Sequence, residues 1–264
     1  MTNELLLVFL AGLFTDLAAG LGALPFLLVE EVNDRLYVFL WGIAAGVMLS
    51  ASVFGLLPAG LALSATLTAV GILVGVGLIV VSRRVLSGYE FHPKTISEVD
   101  FRKLVLIVGT LTVHSFPEGV AIGVAFGGVR FGGVESGPFG VTVPVLAVFI
   151  TVAIAIQNVP EGLAVAIPLK TSGVSNRGLV GWALFSSLPQ PFMAVLAFSF
   201  VSVAQSVLPL GFGFAAGAMV YLVLSELLPE AVSRGAHLPG RGHREVAAGL
   251  VIGGALMLPF LLVG

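Results

Sequence analysis

The sequence predicts an all-α integral membrane protein, a single domain over residues 1–264 with eight transmembrane helices, and three observations carry that prediction. Of the 264 residues, 58% are apolar and only 10% charged, with a mean hydropathy of +1.11; a soluble domain carries about 25% charged residues. Eight stretches approach or exceed the roughly 20 apolar residues that a bilayer-spanning helix needs. If those stretches alternate, eleven of the twelve basic residues fall on one side and Arg130 alone on the other, the asymmetry expected of cytoplasmic loops. A net charge of -2 without a basic face excludes a nucleic-acid partner. The absence of Cys removes disulfides, thiolate metal sites and cysteine nucleophiles.

The elements follow in order. Segment 5–29 is too long, and lacks the basic leader and small-residue cleavage site, for a signal peptide, so it reads as a span. Segments 36–61 and 65–83 are separated only by a short Gly/Leu/Ser stretch after Pro58. Segments 103–127 and 141–169 each contain an internal proline, and 178–200, 207–229 and 246–263 complete the set. Residues 84–102 form a polar cytoplasmic loop, 128–140 a Gly-rich outer loop, and 230–245 a second cytoplasmic loop holding His237 and His243. No loop is long enough for a soluble catalytic domain. Both termini are expected outside. The glycine pairs Gly42/Gly46, Gly71/Gly75, Gly213/Gly217 and Gly249/Gly253 predict close helix packing in lipid. Trp41 and Trp182 are expected at the cytoplasmic interface, and Met48, Met193, Met219 and Met257 in packed interiors.

Asp16, His114, Glu118, Glu161 and Glu226 remain at membrane depth, with no Lys or Arg expected at matching depth. Such groups are costly in lipid unless they are paired or line a cavity, and acids without a basic partner call for a cation or protons. The fourth span reads His114-Ser115-Phe116-Pro117-Glu118-Gly119 and the fifth Gln157-Asn158-Val159-Pro160-Glu161-Gly162. This repeat lies on helices of opposite direction, which gives inverted-repeat character. His114 and Glu118, like Gln157 and Glu161, are one turn apart on one face. Pro117 and Pro160 predict kinks that free carbonyls near Val113 and Ile156. From Lys103 to Glu118 and from Lys170 to Glu161, at about 1.5 Å per residue, both motifs fall near the bilayer midplane. One imidazole, two carboxylates and one amide then form a midplane metal site of His114, Glu118, Gln157 and Glu161. Mixed nitrogen and oxygen ligands suit Zn²⁺, Fe²⁺, Mn²⁺ or Cd²⁺.

These paired motifs resemble the ZIP (Zrt-, Irt-like protein) family of divalent metal transporters, as do Gly20-Leu21-Gly22-Ala23-Leu24-Pro25, Gly46 to Ser52 with Leu56-Leu57-Pro58, and Ser225-Glu226-Leu227-Leu228-Pro229-Glu230. The resemblance implies eight helices, outward termini and the inner membrane of a prokaryote. It also implies a first, fourth, fifth and sixth helix moving as a block against the others. A second metal subsite would fall on Ser115, Asn158 and Gln190, where relatives often carry further acids; here it is expected to be weak, neutral or empty. Glu226 resembles the family's carboxylate on the cytoplasmic exit, and Asp16 is placed on the way in. The sequence therefore predicts a transporter of divalent transition-metal cations, zinc foremost, moving them towards the cytoplasm. The metal is the substrate, no cofactor is required, lipid surrounds the chain and a homodimer stays open. Two other classes stand as alternatives: a proton-coupled carrier of an organic solute, and an intramembrane metalloenzyme, for which the H-E-x-x-H pair is missing. No G-x-x-x-x-G-K-[ST] loop occurs, so ATP hydrolysis is not built in.

Overall fold

A computed structural model describes residues 2–28, 33–88, 98–128, 134–136, 142–171 and 173–259. Helix α1 (Thr2–Ala23) tightens into a 3₁₀ turn, Leu24–Leu27, at Pro25. Helix α2 (Asp34–Ser50), whose first turn is capped by Asn33, passes through a π turn, Ala51–Leu56, into α3 (Leu57–Leu63). Ser64 is extended, ends α3 and accepts from Leu67 N at 3.3 Å, so the break after Pro58 is one residue long. Helix α4 (Ala65–Gly88) follows, then α5 (Glu98–Gly127), α6 (Val145–Thr171), α7 (Asn176–Ser187) and α8 (Pro189–Val203). Helix α9 (Leu208–Leu222) runs through a second π turn, Val223–Leu227, into α10 (Leu228–Arg234), and α11 (His243–Leu256) closes the order.

Among the described residues, six helical segments are long and apolar enough to cross a bilayer: Thr2–Leu27, Asp34–Leu63, Ala65–Val85, Val145–Lys170, Asn176–Val203 and Gln205–His237. Helices α5 and α11 stand where the fourth and eighth spans are expected. Large apolar side chains such as Phe54, Leu73, Phe192, Phe200 and Val251 point outward, which suits a lipid solvent.

Three expectations need correction. The connection expected as loop over 128–140 is not purely loop: Val134–Ser136 (β1) pairs antiparallel with Thr142–Pro144 (β2). The connections expected over 84–102 and 230–245 are shorter, since α4 continues to Gly88, α5 begins at Glu98, and 230–245 is mostly helical turn. Trp41 is buried edge-on against Tyr37 at 5.8 Å rather than at an interface. His92, Lys94 and Arg130 lie outside the described residues.

The glycine pairs join helices two by two. Gly42 and Gly46 of α2 meet Gly249 and Gly253 of α11; Gly71 and Gly75 of α4 meet the backbone of α9 beside Gly213 and Gly217. A Cβ on Gly42 would lie 2.6 Å from Val246 O, and one on Gly217 2.7 Å from Ile72 Cα, so these seams are backbone against backbone. Two further seams hold the centre. Gly22 and Gly162 lock α1 to α6, and Gly119, Gly123 and Gly127 lay α5 along α8. In all four seams the contacts advance in the same direction along both chains, so the partners run parallel. Gly42, Gly46, Met48, Leu56 and Pro58 recur at one constant offset as Gly213, Gly217, Met219, Leu227 and Pro229. The two π turns fall inside this repeat. Helices α1, α5, α6, α7 and α8 pack on one another, α4 packs on α9 and α2 on α11, and the groups are joined where α5 meets α9 and α6 meets α2.

Candidate metal centre

The site is built where α5 and α6 carry their repeated motifs. Each helix continues through its proline, Pro117 or Pro160. The glycine after each glutamate lets a neighbour approach: Gly119 faces Gln190 O, and Gly162 faces Ala19 O. The acid in front of each glycine is thereby held in the centre of the packed helices. Glu118, Gln157, Asn158 and Gln190 are fully buried, and Asp16, His114, Ser115 and Glu161 nearly so.

The carboxyls of Glu118 and Glu161 are neighbours in this buried centre. Gln157 Nε2 donates to Glu118 Oε1 at 2.6 Å. Gln190 Nε2 donates to the other oxygen, Oε2. Its place follows from a broken helix: α7 ends at Ser187, Leu188 intervenes, and Pro189 and Pro191 stand in the first turn of α8 without N–H groups. Gln190 Oε1 in turn accepts from Asn158 Nδ2 at 2.9 Å and lies 2.7 Å from the Thr15 hydroxyl. Asn158 Nδ2 also donates to Thr15 O at 2.7 Å. The Ser115 hydroxyl donates to Ser186 O at 2.9 Å. An amide network thus covers Glu118, while Glu161 Oε1, Gln157 Oε1, Asn158 Oδ1 and one oxygen of Asp16 are buried with no hydrogen-bond partner. Orphaned buried oxygens are costly, and each of the four is an acceptor that a cation could satisfy.

Of the four ligands expected to converge, Glu118, Gln157 and Glu161 meet. His114 lies one turn away with Nε2 2.9 Å from Glu226 Oε2, and its Nδ1 has no partner. Among the described residues no three His, Asp or Glu side chains form a ready metal cage. Ser115, Asn158 and Gln190 are beside the acids, the latter two directly in the network. Asp16 is buried on α1 next to Thr15. Glu226 sits in the second π turn, and its other oxygen is 3.3 Å from Arg83 Nε. That pair corrects the expectation of acids with no basic partner: α4 lies against α9 along its glycine seam, and the long Arg83 side chain reaches back from the helix end. Thr15 and Arg83 were missed by sequence reasoning. A threonine before a buried aspartate carried no distinguishing signal, and Arg83 counted only towards orientation.

Comparison with known proteins matches residues 87–260 to the family described as ZIP Zinc transporter. A protein of Arabidopsis thaliana, provisionally named a zinc transporter, is 40% identical over 81% of this chain, which spans only 33% of that longer relative. Zinc transporter GufA of Myxococcus xanthus is 30% identical, over 94% of this chain and 95% of its own. Zinc transporter ZupT of Corynebacterium glutamicum is 32% identical, over 95% and 96%.

Proposed function

The chain belongs to the ZIP zinc-transporter family, and from that premise we propose that it carries divalent transition-metal cations, zinc foremost, across the membrane towards the cytoplasm. It is a transporter and not an enzyme, and the metal is its substrate. The observation that carries the reading is the meeting of Glu118 and Glu161 from two repeated motifs, buried and with amides rather than cations as partners among the described residues. A divalent ion between the two carboxylates offsets both charges in a place where water cannot.

The chemistry is one of exchange. The Glu118 oxygens are satisfied by the N–H groups of Gln157 and Gln190. An arriving cation takes Glu161 Oε1 and Glu118 Oε1, and the Gln157 amide turns its orphaned oxygen to the ion. His114 adds a nitrogen on leaving Glu226, and then returns to it as the ion departs. Ser115, Asn158 and Gln190 line the neighbouring subsite, which holds an amide in place of a second ion. Asp16 serves the way in and Glu226 the way out.

The four parallel seams join first to fifth, second to eighth, third to seventh, and fourth to sixth spans. Each pair differs by an even number, as eight alternating spans require, which puts both termini on one side of the membrane; the eleven-to-one split of basic residues supports that side being the outer one, and the relatives in Myxococcus xanthus and Corynebacterium glutamicum support the plasma membrane of a prokaryote. The packing of α1, α5, α6, α7 and α8 on one another supports a block of these helices, which also rests on α2 and α9. Uptake of Zn²⁺ into proteoliposomes is the test. Glu118→Ala and Glu161→Ala are each expected to lower it at least tenfold, the equivalent of about 1.4 kcal/mol, with the folded fraction unchanged by size-exclusion chromatography. Undiminished uptake by both variants would overturn the reading.

A further inference from the structure

Glu226 is held from two sides. His114 of α5 meets Oε2 at 2.9 Å, and Arg83 of α4 meets Oε1 at 3.3 Å while its Nη1 reaches Ser225 O at 3.5 Å. Arg83 and Glu226 belong to one glycine-seamed pair, α4 and α9, whereas His114 belongs to the group of helices that carries the acids. The π turn at Val223–Leu227 shifts Glu226 out of the ordinary helical phase, the kind of defect that recurs at functional positions. Arg83 is about half exposed and His114 almost wholly buried, so the carboxylate bridges the solvent-facing end of the pathway and the interior.

We propose that Arg83 is a tethered counter-cation: its guanidinium occupies Glu226 when no metal is there, a divalent ion must displace it to reach that carboxylate, and its return promotes release. The inference rests on the transport reading above, with Glu226 on the cytoplasmic side of the site. Its physical basis is competition. A carboxylate oxygen occupied by a guanidinium is unavailable to a metal, and an arginine cannot yield by losing its proton. Displacement by an ion and re-formation afterwards are then the two available moves. Arg83 is a positioning residue in this scheme, since it acts on the ion through Glu226.

The experiment compares wild type, Arg83→Gln, Arg83→Lys, Glu226→Gln and the Arg83→Gln/Glu226→Gln pair, using Zn²⁺ uptake in proteoliposomes and equilibrium Zn²⁺ binding to the purified protein. For a half-exposed pair the effect expected is about fivefold. Arg83→Gln should bind Zn²⁺ about fivefold more tightly, with lower KM and lower maximal rate, because release slows. Arg83→Lys should fall between it and wild type. In the Glu226→Gln background, Arg83→Gln should change nothing. Equal affinity and equal rates in wild type and Arg83→Gln overturn the proposal, as does an Arg83→Gln effect of the same size without the Glu226 carboxylate. If Arg83→Gln does not fold, Arg83→Lys with and without Glu226→Gln reads the same coupling. Failure of wild type itself to bind or take up Zn²⁺ would instead refute the transport reading.

Discussion

Gln190→Glu is the perturbation that most directly tests how the site's charge is set. The wild-type amide donates to Glu118 Oε2 and accepts from Asn158 at 2.9 Å, with the Thr15 hydroxyl 2.7 Å away. Replacing the NH₂ group by oxygen keeps the shape and the accepting edge. It also turns the one donor to Glu118 Oε2 into a second acceptor in a fully buried place. Two unit charges about 3 Å apart repel by about 5 kcal/mol at an effective dielectric of about 20. That repulsion has to be relieved by a proton or a cation. A second divalent ion would find the new carboxylate, Glu118 as a bridge, and the orphaned Asn158 Oδ1 as a third oxygen.

The expected outcome has two parts. In chelator the variant unfolds more readily than wild type. With Zn²⁺ at about 100 times its dissociation constant the second ion restores about 2.7 kcal/mol, so the gain in thermal stability on adding metal exceeds that of wild type. Metal content of dialysed protein should rise from one ion per chain to two, measured by mass spectrometry of the metal against protein concentration. One ion per chain in both proteins, together with equal stability in chelator, would refute the reasoning, because Gln190 would then not occupy a latent cation position.

Two other predictions follow from the same structure. Gly217→Leu should lower thermal stability by at least about 1–3 kcal/mol, the usual cost of overpacking, because backbone stands 2.7 Å from the added Cβ; Gly77→Leu, with nothing within 4 Å, is the control expected to melt like wild type in the same detergent. Acidifying the outer solution should raise the KM for Zn²⁺, since protons and metal compete for the oxygens of Glu118 and Glu161; initial-rate uptake across a pH series checks this, and a KM independent of pH would count against carboxylate ligation.

How much of this was readable beforehand depends on whether a residue's role is local. Glu118, Gln157 and Glu161 were legible because their motifs repeat and because an acid in an apolar run has no cheap alternative. The glycine pairs were legible as packing, but their partners were not: nothing in Gly42 and Gly46 alone names Gly249 and Gly253. Gln190 could be placed beside Glu118 only through resemblance, since its position depends on how α7 and α8 break around Leu188. His114 points to Glu226, more than a hundred residues away, because that acid sits in a π turn whose phase no periodicity announces. Arg83 was hidden for the same reason: a helix-end arginine is ordinarily a topological marker, and its reach matters only once the seam brings α4 and α9 together.

The seams also explain how a repeated frame can hold an unsymmetrical site. Backbone-to-backbone contacts at glycine ask little of neighbouring side chains, so positions facing the centre are left free to differ between the halves. The two π turns show this most clearly. Leu56 and Pro58 match Leu227 and Pro229, yet just before them Gly55 stands where the second copy has Glu226. At Gly55 the space is taken by the Phe149 ring, 2.6 Å from where a Cβ would lie; at Glu226 it is taken by an imidazole and a guanidinium. In the central pair, likewise, His114 corresponds to Gln157 while the proline, glutamate and glycine after them are kept. Apart from the paired glutamates, the repeat holds where backbone geometry is needed and lapses at the polar positions beside it, so direction along the pathway comes from a few side chains and not from the frame.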